Sequence, residues 1–397
     1  MNETTGKGKH GRVLSPSMFP GWIGRYVSAM EGTRFPASFH ALTGIFVLTV
    51  TVGRRARLQR DGYVLWPPMS ILLLGHSGVG KSASLTLGRD MLSHVVQLDE
   101  RPAFILEHAL EYTPSSLIQE WRDKQEDLAL SYLEGAVTAN ELKAILKERT
   151  GNENASQFLI EACEHRDLTS KTVSRGTRTV KGVTVAFAFC SSLPYLRQSL
   201  TADEFGGGLM HRFLIAHEVK KAPIESASPD PETLARLAAE LRDIWQGSPE
   251  EMVLGKDGVA ALRRCRDRGE DRKYTNGHLS GYWNRYDAIV AKIALAFALA
   301  DEVKVISAAH VDGAAEFLDD FLYPPMEALV HELSHGQRER RLFDLADDLS
   351  LSGETGVPRG EFLRRLPGTT MRARHEALSL MEELGLARGT STTVYRR

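Results

Sequence analysis

Apolar residues recur three or four positions apart from about Phe19 to Arg54, the spacing of a helix face. The period then changes. Residues 63–66 (Tyr-Val-Leu-Trp) predict a short strand stopped by Pro67 and Pro68, and residues 70–74 (Ser-Ile-Leu-Leu-Leu) are an unbroken apolar run of strand length. A strand covered on both faces reads in that way. It feeds directly into a glycine-rich segment, after which residues 82–96 predict a helix. Two more strands are expected at 136–139 (Ala-Val-Thr-Ala) and at 183–190 (Val-Thr-Val-Ala-Phe-Ala-Phe-Cys). Between them, residues 169–180 carry β-branched side chains on both sides of Ser174, Arg175 and Gly176, which predicts a hairpin.

A linker rich in Pro, Ser and Ala follows at 223–231, and residues 233–333 read almost wholly helical, with a strongly apolar helix at 286–300. A charged stretch, 335–341, leads into a last unit of about 60 residues. Its pattern is a helix at 360–366, a turn at Pro367, Gly368 and Thr369, and a helix at 371–384 with Leu378, Met381 and Leu384 on one face. Residues 386–388 and 393–395 complete it as a two-stranded wing around Gly389. The segments so defined are 1–60, 61–222, 223–335 and 336–397.

Composition narrows the setting. A chain of 397 residues, 42% hydrophobic, can bury a large core without disulfides. Cys163, Cys190 and Cys265 lie far apart with no metal-ligand spacing, and the polar N-terminus has no apolar centre. Both features predict a reducing, cytoplasmic compartment. Residues 41–52 are too short a run to span a bilayer and are expected as a buried core segment, with no membrane partner. The formal net charge of −2 gives no global basic footprint. Contact with nucleic acid therefore requires a local basic stripe or pore.

Gly75, His76, Ser77, Gly78, Val79, Gly80, Lys81 and Ser82 match the P-loop pattern G-x-x-x-x-G-K-[ST] in full, between a predicted strand and a predicted helix. Glycines let successive backbone N–H groups turn inward around a phosphate, and the helix N-terminus adds partial positive charge. Lys81 is expected to reach the β and γ phosphates of ATP, and the Ser82 hydroxyl to ligate Mg²⁺. Hydrolysis also needs a group that orients water. Glu141, after the strand 136–139, is the candidate, although an acid there also suits the start of a helix. Glu161 is its rival. Ser191 or Ser192, at the tip of the strand 183–190, could hydrogen-bond the γ-phosphate or simply form a turn. Arg212 follows three glycines inside an apolar segment, where a guanidinium needs a partner such as a phosphate.

The order of these motifs resembles the AAA+ ATPases, in the helicase branch that includes the minichromosome maintenance helicases, and more closely the helicase-like ATPases of phages and mobile elements. The resemblance runs from about Phe35 to Val330. It implies an α/β fold: an N-terminal helical segment (1–60), a three-layer P-loop core (61–222), a helical lid (223–335) and a C-terminal winged helix (336–397). Glu141 matches the catalytic acid, but Asn140 stands where that family usually has aspartate, so Mg²⁺ would rest on Ser82 and Asn140. Ser191 and Ser192 match sensor 1, with Ser192 taken as the catalytic one. Arg212 matches the arginine finger that reaches the ATP of an adjacent subunit, and Arg285 the sensor-2 arginine of the lid. The hairpin matches one that grips DNA in the channel of a ring, through Lys171, Arg175, Arg178 and Lys181. In a DNA-binding winged helix, Thr370, Arg372 and Arg374 would begin the recognition helix, and winged helices also dock proteins.

The implied function is an ATP-driven DNA motor: a ring, expected as a hexamer, holding single-stranded DNA, with any primase or polymerase supplied by a partner. Two other outputs stay open. One is a DNA-bound initiator, loader or regulator that switches without translocating. The other is a scaffold that binds ATP with little hydrolysis.

Overall fold

The computed structural model describes residues 13–99, 101–108, 113–142, 155–172, 176–199, 208–218, 228–273, 279–334, 345, 356–366, 371–383, 386–390 and 393–396. Two compact units divide the chain, Met1–Ala328 and Leu329–Arg397.

The helical period near the N-terminus yields α1 (Gly21–Ala29) and α2 (Ala37–Val52). All but the first residue of α2 are buried, so its apolar residues leave no polar face. The continuous helical stretch, 19 residues, is long and apolar enough to cross a membrane by length and composition, yet 89% of its most apolar window is buried inside the protein. The expected core role is met, although burial rather than shortness is the reason. Two short strands follow, β1 (Arg57–Arg60) and the expected β2 (Tyr63–Leu65).

The centre of the first unit is a five-stranded parallel sheet. Its strands are β3 (Ser70–Gly75), β4 (Phe104–His108), β5 (Leu133–Ala139), β8 (Val183–Ser191) and β9 (Phe213–Glu218), in the order β4-β5-β8-β3-β9. Every residue of β3, β5 and β8 is buried, as their continuous apolar runs require. Helix α3 (Lys81–Asp99) follows β3, α4 (Pro114–Asp127) follows β4, and α5 (Ala155–Cys163) lies between β5 and β8. Side chains alternate between sheet faces along a strand. Phe187 of β8 packs against Phe158 of α5, whereas Cys190, of opposite parity, lies beside Ser82 of α3. Helices therefore cover both faces of the sheet, an α/β arrangement in three layers.

The strand β4 was not expected from Phe-Ile-Leu-Glu-His, because Glu107 and His108 break its apolar run. The predicted hairpin forms as β6 (Leu168–Thr172) and β7 (Gly176–Val180), and α6 (Leu193–Ser199) follows β8.

Residues 233–333 are not helical throughout. β10 (Glu251–Leu254) and β11 (Val305–Ile306) join β1 and β2 in a second sheet, ordered β11-β10-β1-β2. The N-terminal helices and the later helical region thus belong to the same compact unit as the central sheet. The boundary between the two units falls at Ala328.

In the second unit, β12 (Val357–Pro358) precedes the helices Arg359–Arg365 and Met371–Glu383, and β13 (Ala387–Gly389) and β14 (Thr393–Arg396) close it. The sheet has three strands, ordered β12-β14-β13, rather than the two expected. Phe362, Leu363, Leu378, Met381 and Val394 form its core.

Candidate functional site

The glycine-rich loop leaves the carboxyl end of β3 and enters α3 at Lys81. Parallel strands aim their carboxyl ends at one crevice, where ligands of open α/β sheets bind. A Cβ on Gly75 would lie 2.3 Å from the Glu218 carbonyl oxygen of the neighbouring strand, so only glycine fits beside β9. Gly80 has φ +106°, and a Cβ there would lie 2.3 Å from the Phe35 ring. Phe35 therefore seats the loop, a role the sequence did not reveal. His76, Ser77 and Gly78 are exposed, and Val79 is buried beneath them.

Lys81 curls back into this loop. Its Nζ donates to the carbonyls of Gly75 and His76, each at 2.8 Å. Burial lowers the ammonium below its usual range, against the opposing influence of Cys190 and Glu141. Glu141 is thus within electrostatic reach of Lys81. The register explains why. Ser191 of β8 pairs with Leu74 of β3, and Ala139 of β5 pairs with Phe189 of β8, so all three strands end together. Two inter-strand spacings, about 10 Å, separate the glycine loop from the exposed pair Asn140 and Glu141. That gap suits a terminal phosphate and a water.

Ser192 lies between these two points, and its carbonyl accepts the first hydrogen bond of α6 from Leu196 N at 3.0 Å. Glu161 is on α5 and accepts from Gln157 at 2.8 Å. Two residues further on, Cys163 Sγ meets Ser70 Oγ at 3.2 Å, at the amino end of β3. Glu161 therefore lies toward the opposite end of the sheet from the glycine loop, whereas Glu141 is close to it.

Arg212 is also at that opposite end. It precedes Phe213, the residue of β9 that pairs with Ser70. Gly208 has φ +100°, and its carbonyl accepts from Arg212 Nη1 at 2.5 Å. Arg212 Nη2 donates to Glu164 Oε1, and Arg285 Nη1 donates to the same oxygen at 3.0 Å. Arg166 Nη2 holds Glu164 Oε2 at 2.6 Å. The two arginines expected at a nucleotide thus converge on one carboxylate that no sequence motif marks. The only signal was its place in Cys-Glu-His-Arg-Asp, a polar run closing a helix. Burial pushes the Glu164 carboxyl up, but hydrogen bonds and charge from Arg212 and Arg285 outweigh it and hold it below the usual range.

In the hairpin, Leu168 pairs with Val180 and Ser170 with Arg178. Directly paired residues share a face. Leu168 and Val180 are buried, and Ser170 Oγ meets Ser115 of α4 at 3.3 Å. Arg178 therefore lies on the packed face, with its Nε and Nη1 buried, and is not part of a free basic stripe. Lys181 is exposed. Arg175 and the side chain of Lys171 lie outside the described residues, as does Thr370 of the second unit. Arg372 pairs with Glu376 at 3.1 Å on the exposed helix surface.

Among the described residues no group of three His, Cys, Asp or Glu side chains could hold a metal ion. This donor set still fits Mg²⁺, which usually keeps waters and takes one or two protein ligands together with substrate phosphates. Ser82 is exposed on the first turn of α3, and Asn140 offers a neutral oxygen at the same end of the sheet.

Taken together, the fold and site define an α/β protein with a glycine-rich strand-to-helix loop at the carboxyl edge of a parallel sheet. No family model matches the chain, and no curated protein matches it.

Proposed function

We propose that the chain is a P-loop ATPase of the AAA+ helicase type, that it works on DNA as a ring of copies, and that each nucleotide lies between two copies. The observation that carries this reading is the separation of Lys81 from Arg212. They sit at opposite ends of β3, whose six residues extend over about 17 Å. Arg212 is too far to serve the nucleotide of its own chain, and its role in this reading is to serve that of a neighbour.

In this reading Lys81 leaves the carbonyls of Gly75 and His76 for the β and γ phosphates. Mg²⁺, held by Ser82 and Asn140, would neutralise charge developing on the phosphates. Glu141 orients water from two strands away, and Ser192 supplies a polar contact between them. Arg212 of the next copy stabilises the transferring phosphoryl group. The lid corresponds to the later helices of the first unit and carries Arg285. The second unit, with two helices and a three-stranded sheet, serves as the winged helix.

The test is ATP-dependent strand displacement on a forked DNA duplex, beside Lys81→Ala. The wild type is expected to hydrolyse ATP and separate strands, and the variant to do neither. ATPase activity with no unwinding at any polarity or salt concentration would sink the motor. The inward turn of Arg178 favours a second reading, a DNA-bound initiator or regulator that does not translocate. Stoichiometric melting with slow turnover would support it.

A further inference from the structure

Glu164 faces three guanidinium groups, those of Arg166, Arg212 and Arg285. Among the described residues it is the only carboxylate paired with them, so one negative charge stands against three positive ones. Lys292, nearby, adds no acid: it donates to the Pro68 carbonyl at 2.8 Å and contacts His165 at 3.3 Å. The cluster is not closed off. Arg212 is 12% exposed, but Arg285 is 40% and Arg166 67% exposed. Among the described residues Arg212 Nε is buried with no partner, so the residue with the least access to water has unused donor capacity. Arginines arranged in this way recognise a phosphate or carboxylate through paired donors.

We infer that Glu164 is a latch, a positioning residue that occupies Arg212 and Arg285 in the lone chain and yields them to the terminal phosphate of a nucleotide held by a second copy. The inference rests on the proposed reading of the glycine loop as a nucleotide site shared between copies. A triphosphate reaches the arginines and displaces the carboxylate; a diphosphate ends too short. Glu164 thereby holds back the assembly that a triphosphate drives. A carboxylate competing with phosphate for the same donors enters the coupling free energy between nucleotide binding and association, and such couplings typically amount to about 5–150-fold in affinity.

The experiment measures self-association of the full chain by sedimentation, with a non-hydrolysable ATP analogue or with ADP, for wild type and Glu164→Gln. The substitution keeps shape and removes charge. Expected is association at roughly tenfold lower protein concentration with the analogue, and little change with ADP, whose phosphates do not reach the arginines, so that discrimination between the two grows. A purely structural role for Glu164 would not change that ratio. Unchanged or weaker association with the analogue, with nucleotide binding intact, overturns the latch alone. Failure of wild type to bind either nucleotide overturns the underlying reading and the latch with it. Should Glu164→Gln not fold, Glu164→Asp, charged but shorter, is expected to associate at lower protein concentration than wild type with the analogue; a curve identical to wild type overturns the inference.

Discussion

Glu134 and Glu164 both hold arginines, and they do so in opposite ways. At Glu134 the partners are closed in. Arg101 Nη2 donates to Oε1 at 2.5 Å, the Arg54 backbone N–H donates to Oε2 at 2.8 Å, and both charged side chains are at most 7% exposed. The Arg101 guanidinium lies 4.7 Å from the ring of Phe104 and 4.7 Å from that of Trp245, and it also donates to the Thr51 carbonyl at 2.6 Å. A Cβ on Gly53 would come within 2.3 Å of Glu134 Oε2, so the backbone there packs directly against the carboxylate. This pair ties the end of α2 to β5. At Glu164, by contrast, charge is unbalanced and two of the three arginines reach the surface. The first site pairs its charges out of reach of water, and the second is arranged to exchange its partner.

The largest expected effect lies at the open site. Arg212→Ala is expected to reduce ATP hydrolysis by about 10³–10⁵-fold, the range for arginine fingers in phosphoryl transfer. ATP binding by the variant should be retained, because Lys81 and Ser82 are untouched. The decisive measurement mixes two inactive proteins. Arg212→Ala supplies an intact loop and Lys81→Ala an intact arginine, so hydrolysis should return in the mixture. If mixing restores nothing, Arg212 does not act between copies.

The closed site should answer in stability instead. Glu134→Ala leaves Arg101 buried without its carboxylate, a change that destabilises by about 3–5 kcal/mol. Glu164→Gln is expected to shift the denaturant midpoint far less, since its arginines have water to turn to. Comparable losses at both positions would erase the distinction drawn between them.

Local chemistry made the glycine loop and its flanks readable. The glycine loop, the strand before it and the helix after it depend on neighbours in sequence, and residues 70–96 could be read directly. The place of Glu141, just past the end of β5, was legible because the strand before it is continuous and apolar. What could not be read was pairing at a distance. Nothing in the segment 159–167 says that Glu164 will meet Arg212, 48 positions away, and Arg285, 121 positions away. Arg178 was misjudged for a related reason. Charge is visible in a sequence, but the face it takes in a hairpin follows from which face packs on α4. Phe35 was missed because its contact with Gly80 is made by folding of the N-terminal helices over the loop.

The smallest effect concerns acid. His211, beside Arg212, is buried, with neither ring nitrogen bonded among the described residues. Burial, then the charges of Arg285 and Arg212, lowers its pKa to about 4. The unfolded chain takes up the proton near pH 6.5, so stability present above that value falls as the pH drops from 6.5 towards 4. The full loss from this one group is at most roughly 3 kcal/mol. His211→Leu should therefore flatten the stability profile in that window, measured by denaturant unfolding at each pH. Glu164 has a lowered carboxyl pKa, so its contribution is present above about pH 4.5 and is lost only as the pH falls below it. Glu164→Gln is thus expected to change the profile at lower pH than His211→Leu does. If both variants altered the same window, the cationic cluster around Glu164 would not be the cause of the acid response.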